Sequence, residues 1–345
     1  MRTAVVILNW NTRDYLRRFL PALLRSVAGQ AEVVVADSAS TDGSMEMLAA
    51  EFPSVRRIPL DSNYGFTGGY NRALAQLDNE YFVLINSDIE VGEGWLAPLV
   101  DWMDSHPDCG ACGPKLHSWY EKDRFEYAGA AGGYLDRYGY PFCRGRVLGR
   151  VCTDTGQYDT PRDVVWVSGA CLMTRSTLWR EMGGLDDRFF AHMEEIDYCW
   201  RLQLAGQRVT VVPQSVVYHL GGGTLPQKSP WKLQLNYRNN LLLLDNNLAA
   251  TIGVRAARRR IFLRKLLDGA SALVYLLTGK FSYFGAVLKA HREYRRLRRR
   301  GRPAGPAAGS FPEALRRYDR LCLLPAALLR GNRIFDYLDR YENIH

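Results

Sequence analysis

The sequence predicts an α/β fold in which a mostly parallel sheet is flanked by helices and followed by a basic, mainly helical appendage. In the first hundred residues, short β-branched runs alternate with helical patterns, which is the rhythm of parallel strands joined by crossover helices. The 345 residues are 47% hydrophobic and 23% charged, so they can bury the core of one large domain with an appendage, or of two domains. These proportions exclude a disordered chain, a collagen-like repeat and a small disulfide scaffold.

The charge of the chain is unevenly distributed. Residues 1–227 contain 21 basic and 28 acidic residues, whereas residues 228–345 contain 24 basic and 8 acidic residues. A net charge of +9 therefore hides an acidic part and a strongly basic part. We predict an acidic α/β domain over residues 1–227 and a basic helical region over residues 228–345 that associates with an anionic partner.

The predicted elements of the acidic domain follow in order. Strands are predicted at residues 4–8, 32–36, 56–59 and 81–85, and helices at residues 14–28, 45–51 and from about residue 71. The strand at 81–85 is apolar throughout, which indicates a central position in the sheet. Residues 115–165 are rich in Gly, Tyr and Arg without a clear period, and we interpret them as irregular strands and loops. Further helices are predicted at residues 176–182 and from about residue 194, and further strands at residues 209–212 and 216–218.

Acidic side chains follow two of the predicted strands. Asp37 comes directly after the second strand, and Asp88 follows the fourth within Asn86-Ser87-Asp88. We expect both to lie at the ends of neighbouring strands, where ligands of open parallel sheets bind. Carboxylates in that position suit a hard divalent cation such as Mg²⁺ or Mn²⁺, which keeps positions open for phosphate. The alternative is that each acid only caps the helix that follows it.

A glycine-bearing segment, residues 61–71, is interpreted as a loop before the third helix. It contains Asn63, Gly65, Gly69 and Asn71. Such a loop lets the backbone approach a phosphate or a sugar, although glycines more often serve a turn. The segment matches neither the dinucleotide fingerprint nor the phosphate-binding loop.

Three carboxylates lie within four residues at a predicted helix start. On a helix, Glu194 and Asp197 share a face, whereas Glu195 points elsewhere, so one acid can act on a substrate while another anchors the loop. The alternative is a solvated helix N-terminus, where acids are favourable. Further on, His219 ends a predicted strand beside three glycines, and we predict that it is a ligand rather than a core residue.

These blocks, taken in order, resemble the family 2 inverting glycosyltransferases of the GT-A fold, especially their bacterial rhamnosyltransferase-like branch. The resemblance covers about residues 3–245. Its landmarks are VVILNWN at 5–11, ADSASTDGS at 36–44, NYGFTGGYN at 63–71, LINSD at 84–88, VSGACLMTR at 167–175, GGLDDRFF at 183–190, MEEIDYCWR at 193–201 and YHLGG at 218–222.

The resemblance implies a site for a nucleotide-sugar. Asp37 would bind the base or ribose, and Asp42 would support the same loop. Eight more residues are assigned to the donor in the same way: Asn9, Asn11, Asn63, Gly65, Gly69, Asn71, Asn86 and Ser87.

The resemblance also implies a metal site and a general base. Asp88 would be the metal-binding acid of a degenerate Asp-x-Asp motif whose first position is Asn86, and His219 would ligate the metal or touch the diphosphate. Glu195 would be the general base, with a side chain one methylene longer than the Asp usual in the family. Three further residues would bind the acceptor or support the site: Glu194, Asp197 and Gly169.

The function implied by the resemblance is transfer of a sugar, rhamnose or another hexose, from a dTDP- or UDP-sugar to a hydroxyl of a glycan or polyprenyl-linked acceptor. A divalent cation, Mg²⁺ or Mn²⁺, would stabilise the leaving diphosphate, and one base gives single displacement with inversion. The alternative is a non-catalytic nucleotide-sugar or glycan-binding protein, which the substituted positions Asn86 and Glu195 would favour.

The basic region suggests where the protein works. Arginines at residues 255–260 and 292–302 flank apolar stretches at 266–277 and 281–288, a composition typical of helices that lie on an anionic membrane. No apolar run of 18 residues occurs, and the apolar run at 4–8 is too short for a signal peptide. We therefore expect a cytoplasmic protein associated peripherally with the inner face of the membrane. Alternatives are a helical oligomerisation or partner-docking region and a nucleic-acid site, although no base-reading motif is present and we expect no nucleic acid. Residues 301–309 are predicted to be a linker.

Overall fold

The computed structural model describes residues 1–221, 229–301 and 313–344. Its strands are β1 Thr3–Asn9, β2 Ala31–Ser38, β3 Arg56–Leu60, β4 Tyr81–Ile85, β5 Ile89–Val91, β6 Cys109–Ser118, β7 Gly133–Leu135, β8 Pro141–Cys143, β9 Arg146–Val147, β10 Arg150–Val151, β11 Arg162–Asp163, β12 Cys171–Arg175 and β13 Arg208–His219. Its α-helices are α1 Arg13–Ser26, α2 Ser44–Glu51, α3 Gly65–Leu74, α4 Leu96–Ser105, α5 Ser176–Glu181, α6 Glu194–Leu204, α7 Pro230–Ile252, α8 Val254–Leu277, α9 Phe281–Leu297, α10 Glu313–Tyr318, α11 Leu323–Arg330 and α12 Ile334–Ile344. A short 3₁₀ helix spans Gly331–Arg333.

Within the described residues, the large sheet has the order β11-β13-β6-β12-β4-β1-β2-β3, and β5 pairs with β13. The strands β4, β1, β2 and β3 are parallel to one another, and β13 is parallel to β6. β12 runs antiparallel between β4 and β6. This mostly parallel sheet flanked by helices confirms the predicted α/β fold. A second sheet, β10-β9-β8-β7, lies within the region predicted to be irregular.

The sheet is covered on both faces. Along β1, Val6 faces one buried cluster and Val5 faces another, and Val34 and Val35 of β2 divide in the same way. Successive side chains of a strand point to opposite faces, so a sheet buried on both faces needs apolar residues at every position. This explains the uninterrupted apolar runs in the sequence.

Several expectations about elements were wrong in detail. β1 lies between β2 and β4, so the strands that precede Asp37 and Asp88 are not neighbours. The glycine-bearing segment is largely helical, because α3 begins at Gly65 rather than near Asn71. The two strands predicted at 209–212 and 216–218 are one strand, β13, whose pairing with β6 shifts register between Val211 and Val216. A bulge of this kind hides a continuous strand from a period-two pattern.

The glycines of α3 serve helix packing. A Cβ at Gly69 would lie 2.7 Å from the Leu8 side chain of β1. A Cβ at Gly65, whose φ is +71°, would lie 2.6 Å from the carbonyl oxygen of Phe190. Glycine therefore allows α3 to lie close to the sheet and to the loop that precedes α6.

The C-terminal helices pack against the α/β domain. Arg264 of α8 donates to the carbonyl oxygen of Tyr138 and to Asn240 of α7. Glu342 of α12 accepts hydrogen bonds of 2.8 Å from both Arg162 and Tyr134. The predicted boundary between residues 227 and 228, Gly222 and residues 302–309 of the predicted linker lie outside the described residues, so the division into two domains stays a prediction. Among the described helices, none is long and apolar enough to cross a membrane.

Candidate active site

The first group of site residues lies at the carboxyl ends of β1 and β2. Register places Asn9 opposite Asp37, and Asn9 Nδ2 donates to Asp37 Oδ1 at 2.6 Å. The other carboxylate oxygen of Asp37 accepts from the backbone N–H of Ser40 at 2.9 Å. Thr12 joins this group to the end of the fourth strand, because its hydroxyl donates to Asn9 Oδ1 at 2.5 Å and lies 2.9 Å from the hydroxyl of Ser87, which can donate to it. The structure thus brings Asn9, Asp37 and Ser87 together, and it adds Ser40 and Thr12.

Asn11 and Asp42 hold the loops around this group. The Asn11 side chain accepts from the N–H of Thr41 at 2.8 Å, and Asn11 itself has a positive φ of 54°. Asp42 accepts from the N–H groups of Arg13 and Ser44 at 2.8 and 3.0 Å. Burial opposes the charge of Asp42, but the hydrogen bonds from Ser44 and Arg13 outweigh burial and lower its pKa. Asp42 therefore supports the loop, as expected of it.

Asn63 and Asn71 make contacts within the protein. Asn63 accepts from the N–H of Gly65 at 2.9 Å and so fixes the start of α3. Asn71 donates to the Leu185 carbonyl oxygen and to Asp187, both at 2.8 Å, and accepts from the N–H of Leu185. Asn71 therefore connects α3 to the chain that leads to α6. Its partners Leu185 and Asp187 do not belong to the group around Asp37.

The second group lies where β5 and β13 pair. Register places His219 opposite Ile89, directly after Asp88. His219 Nε2 lies 3.2 Å from Asp88 Oδ1 and 3.4 Å from Asn86 Nδ2. On the other side of the imidazole ring, Nδ1 lies 3.3 Å from Glu126 Oε2. The sequence carries no signal for Glu126, because this residue lies in a segment without a periodic pattern.

Without a metal ion, the electrostatics of the second group favour a charged pair; a cation bound to His219 would displace the proton of the imidazole. Burial opposes a charged imidazole, but Asp88 and Glu126 outweigh burial and raise the pKa of His219 to about 10. Burial would likewise raise the pKa of Asp88, but the hydrogen bond and the charge of His219 lower it.

The donor set of this group fits a divalent cation. Two ligands on adjacent corners of an octahedron with bonds of about 2.1 Å lie roughly 3 Å apart, and Asp88 Oδ1 and His219 Nε2 are separated by 3.2 Å. A carboxylate at the far ring nitrogen, here Glu126, is the usual way to orient a metal-binding histidine. No cluster of three or more His, Cys, Asp or Glu residues placed to hold a metal occurs in the described part of the chain. A cation at this place would therefore need further oxygens from a bound diphosphate or water.

Glu195 lies in the first turn of α6, beside Gly169. A Cβ at Gly169 would lie 3.5 Å from the Cβ of Glu195, so Gly169 lies directly beside the stem of this side chain. Glu195 Oε2 is buried and has no hydrogen-bond partner among the described residues. Burial raises the pKa of Glu195 to about 7, although backbone N–H groups oppose this shift. Such a carboxylate can accept a proton near neutral pH.

The two neighbouring acids have different environments. Asp197 is fully buried and accepts from Arg201 Nε, Asn246 Nδ2 and Asn247 Nδ2, each at 2.8 Å. It therefore anchors α6 to α7. Glu194 is buried too, and its Oε2 has no partner among the described residues. Burial, and then the charge of Glu195, raise the pKa of Glu194 well above its usual value.

The loop before α6 is held in an unusual conformation. Phe190, His192 and Met193 all have positive φ angles near 70°, which is costly for residues other than glycine. Asn239 of α7 compensates by donating to the carbonyl oxygens of Phe189, Ala191 and His192 at 2.7 to 3.0 Å. This role of Asn239 could not be predicted from the sequence, because an amide within a helical pattern carries no signal of its partner.

The second group is connected to Glu195 through the chain at the ends of the paired strands β4 and β12. The N–H of Asn86 donates to the carbonyl oxygen of Ala170 at 2.9 Å, and Gly169 precedes Ala170. The end of β4, which carries Asn86 and Asp88, therefore lies beside the chain that contacts Glu195. An acid–histidine pair, a buried proton acceptor and a polar cluster on β1 and β2 line one edge of the sheet.

Comparisons with known proteins point to one family of enzymes. The family described as glycosyl transferase family 2 matches residues 4–158. The N-acetylglucosaminyl-diphospho-decaprenol L-rhamnosyltransferase of Mycobacterium tuberculosis is 30% identical over 230 residues, which are 62% of this chain and 75% of that protein.

Two solved structures share the fold. The mannosyltransferase PcManGT from Pyrobaculum calidifontis, in complex with GDP-Man and Mn²⁺, matches with a TM-score of 0.52 and 15% identity, over 99% of this chain and 82% of that one. S. aureus TarS 1-349, in complex with UDP-GlcNAc, matches with a TM-score of 0.54 and 16% identity, over 86% of this chain and 85% of that one.

Proposed function

This chain belongs to glycosyltransferase family 2, and on that premise we propose that it transfers rhamnose or a related hexose from a nucleoside diphosphate donor to a hydroxyl of a lipid-linked glycan. The chain is a transferase enzyme, which removes the alternative of a non-catalytic binding protein. The donor, the acceptor, inversion at the anomeric carbon and the use of a metal are parts of the proposal.

One observation carries the proposal. Glu195 presents a buried carboxylate oxygen without a partner among the described residues, and Gly169 lies directly beside its side chain. Ala170, the next residue, accepts a hydrogen bond from the N–H of Asn86, whose side chain lies 3.4 Å from His219 of the Asp88–His219 pair. The proposed proton acceptor and the proposed site for a charged leaving group are therefore joined by a short stretch of chain, and a displacement reaction requires the two to lie close together.

The mechanism assigns one task to each side. Glu195 takes the proton of the acceptor hydroxyl, whose oxygen attacks the anomeric carbon while the bond from that carbon to the diphosphate oxygen breaks. The attack comes from the face opposite the leaving group, so a single displacement inverts the configuration. Asp88 and His219 would hold a divalent cation, which when bound neutralises charge on the departing diphosphate.

The choice of substrates is supported by the Mycobacterium tuberculosis relative. Its name describes transfer of L-rhamnose to N-acetylglucosaminyl-diphospho-decaprenol. We propose the same classes for this chain: a dTDP- or UDP-linked sugar as donor, and a polyprenyl diphosphate glycan as acceptor. In this proposal Asp37 and Asn9 lie on the nucleoside side of the donor.

A thermal-shift experiment with nucleotides tests the donor site without knowledge of the acceptor. A ligand at a hundredfold excess over its Kd stabilises the folded state by about 2.7 kcal/mol. We expect a rise of Tm with one nucleoside diphosphate, dependent on Mg²⁺ or Mn²⁺ and removed by EDTA. Asp88→Ala should abolish the rise, whereas Asp78→Ala, a change at a fully exposed aspartate, should keep it. Absence of a rise with every nucleotide and metal tested would contradict the proposal.

We further propose that the protein works at the cytoplasmic face of a membrane. Phe262, Leu266, Leu273 and Leu277 are exposed on α8, and their spacing of 4, 7 and 4 residues places them on one helix face. This α8 stripe is preceded by exposed arginines of the same helix, including Arg255 and Arg259. An apolar face with flanking arginines suits an anionic lipid surface, which is where a polyprenyl-linked acceptor is held.

A further inference from the structure

Arg146 of β9 is buried, and the described residues offer it no carboxylate partner. Four arginines are buried in the described part of the chain: Arg146, Arg201, Arg238 and Arg264. Three of them form ion pairs, with Asp197 at 2.8 Å, with Glu293 at 3.4 Å and with Asp268 at 2.8 Å, respectively. For Arg146 no carboxylate oxygen within 4 Å is found among the described residues. Buried charges are normally paired, so this one points to a missing anion.

The contacts of the Arg146 guanidinium are weak. Nη2 donates to the sulfur of Cys143 at 3.5 Å, and sulfur is a poor acceptor. Cζ lies 4.6 Å from the centroid of the Tyr127 ring. Nε is buried and has no acceptor among the described residues. The guanidinium therefore keeps unused donors, and a buried donor without an acceptor costs free energy.

Arg146 lies on the same side of the molecule as the candidate base. Tyr127 precedes Ala128, whose carbonyl oxygen accepts a hydrogen bond from Ser168. Ser168 precedes Gly169, the residue that lies directly beside Glu195. The charges of Arg146, Glu126 and Glu195 all affect the pKa of the Cys143 thiol, which burial raises, and this agrees with their closeness. Tyr127 is 46% exposed, so the ring that lies against the Arg146 guanidinium extends to the surface.

We propose that Arg146 and Tyr127 form a phosphate-binding site that holds the diphosphate of the lipid-linked acceptor. A guanidinium offers two parallel N–H donors that match a phosphate, and it binds phosphate more strongly when water is excluded. The donor also carries a diphosphate, but that group is assigned to Asp88 and His219. The assignment of the bound diphosphate to the acceptor rests on the proposed function. The existence of a phosphate site rests on the buried guanidinium of Arg146 and does not depend on that function.

A binding experiment separates the two sources of phosphate. Geranyl diphosphate serves as probe, and its binding is measured calorimetrically with the donor site saturated by UDP and Mn²⁺. We expect Arg146→Met to weaken binding of the probe by about tenfold or more and to leave the affinity for UDP unchanged. Arg150→Gln, in the neighbouring strand β10, is the matched control and should bind the probe like the unaltered protein. Loss of UDP affinity in Arg146→Met would overturn the acceptor assignment, and equal binding of the probe by both proteins would overturn the site.

The thermal stability of the same variant separates binding from a structural role. Because Arg146 lacks a carboxylate partner, its replacement by an apolar side chain should leave Tm unchanged or raise it. A clear fall of Tm would show that the guanidinium is structural and would overturn the proposal. Failure of the protein to transfer sugar, with Arg146-dependent binding of the probe intact, would contradict the proposed function and leave the phosphate site standing.

Discussion

Glu195 occupies a position where its own charge is unfavourable. The N-terminus of a helix favours a carboxylate, yet Glu194 lies beside it and both are removed from water. Burial dominates, and the pKa of Glu195 rises to about 7. A general base works best with a pKa near the working pH, so the cost of burying this acid is consistent with a functional role.

The pH dependence of transfer follows from this pKa. The base acts in its deprotonated form, so we expect the rate to rise as pH increases through about 7 and to level off above it. Glu195→Gln should lower kcat by roughly 10²- to 10⁴-fold and should keep donor binding, because Glu195 faces the acceptor side in the proposed mechanism. Radiolabelled sugar transfer at a series of pH values measures both effects.

The control for this prediction is Glu181→Gln, at an exposed glutamate of α5, which should keep both the rate and its pH profile. A Glu195→Gln variant that transfers sugar at the rate of the unaltered protein would assign the base to another residue. A profile that falls as pH rises through 7 would contradict the role of a deprotonated carboxylate.

At the scale of elements, the strands and helices that the sequence predicted correctly are those that depend on short-range patterns. The strands at β1 to β4 and the helix that begins at Glu194 follow from apolar period and from polar residues at element ends. Asp37, Asp88 and Glu195 were predicted as site residues from position and resemblance. Glu126 and Arg146 were not, because they come from short strands and loops whose pairing depends on distant partners such as Ser168. A local pattern cannot report such pairing.

The contribution of α7 to the site is a second example of a long-range effect. Asn239 holds three carbonyl oxygens of a loop with positive φ angles, and that loop leads directly into Glu194 and Glu195. Asn239 is therefore a positioning residue, located 44 positions after Glu195 in the chain.

Removal of the Asn239 amide should disturb the site more than the fold. We expect Asn239→Ala to lower the free energy of unfolding by about 1–3 kcal/mol, because buried carbonyl oxygens lose their donors. We also expect kcat to fall roughly tenfold to a hundredfold through displacement of the base, with the KM for the donor unchanged. Asn236→Ala, on the same helix and half-buried, should change neither. A loss of stability in Asn239→Ala without loss of kcat would show that α7 supports only the fold.

On the scale of the whole molecule, residues 1–227 and the C-terminal region differ in net charge, but they pack against each other. The basic C-terminal region carries a net charge of +16, against −7 for residues 1–227. Yet α7 supports the loop before Glu195, and Glu342 of α12 is buried against Arg162 and Tyr134. Deletion of the C-terminal region would therefore damage the site as well as any membrane contact. Membrane association has to be tested with surface substitutions.

Co-flotation with vesicles tests the membrane proposal with such substitutions. We expect the protein to float with vesicles that contain anionic lipid and to be released as salt rises well above ~0.15 M, because the arginine contribution is screened. Leu273→Glu combined with Leu277→Glu adds two negative charges to the α8 stripe and should reduce flotation strongly, since it opposes both apolar insertion and the attraction to anionic headgroups. Leu328→Glu with Leu329→Glu is the matched control: these leucines of α11 are 79% and 80% exposed but lie outside the stripe, so flotation should persist. Equal losses in both variants would show that binding follows net charge alone, and a protein that fails to float with anionic vesicles at low salt would refute peripheral attachment.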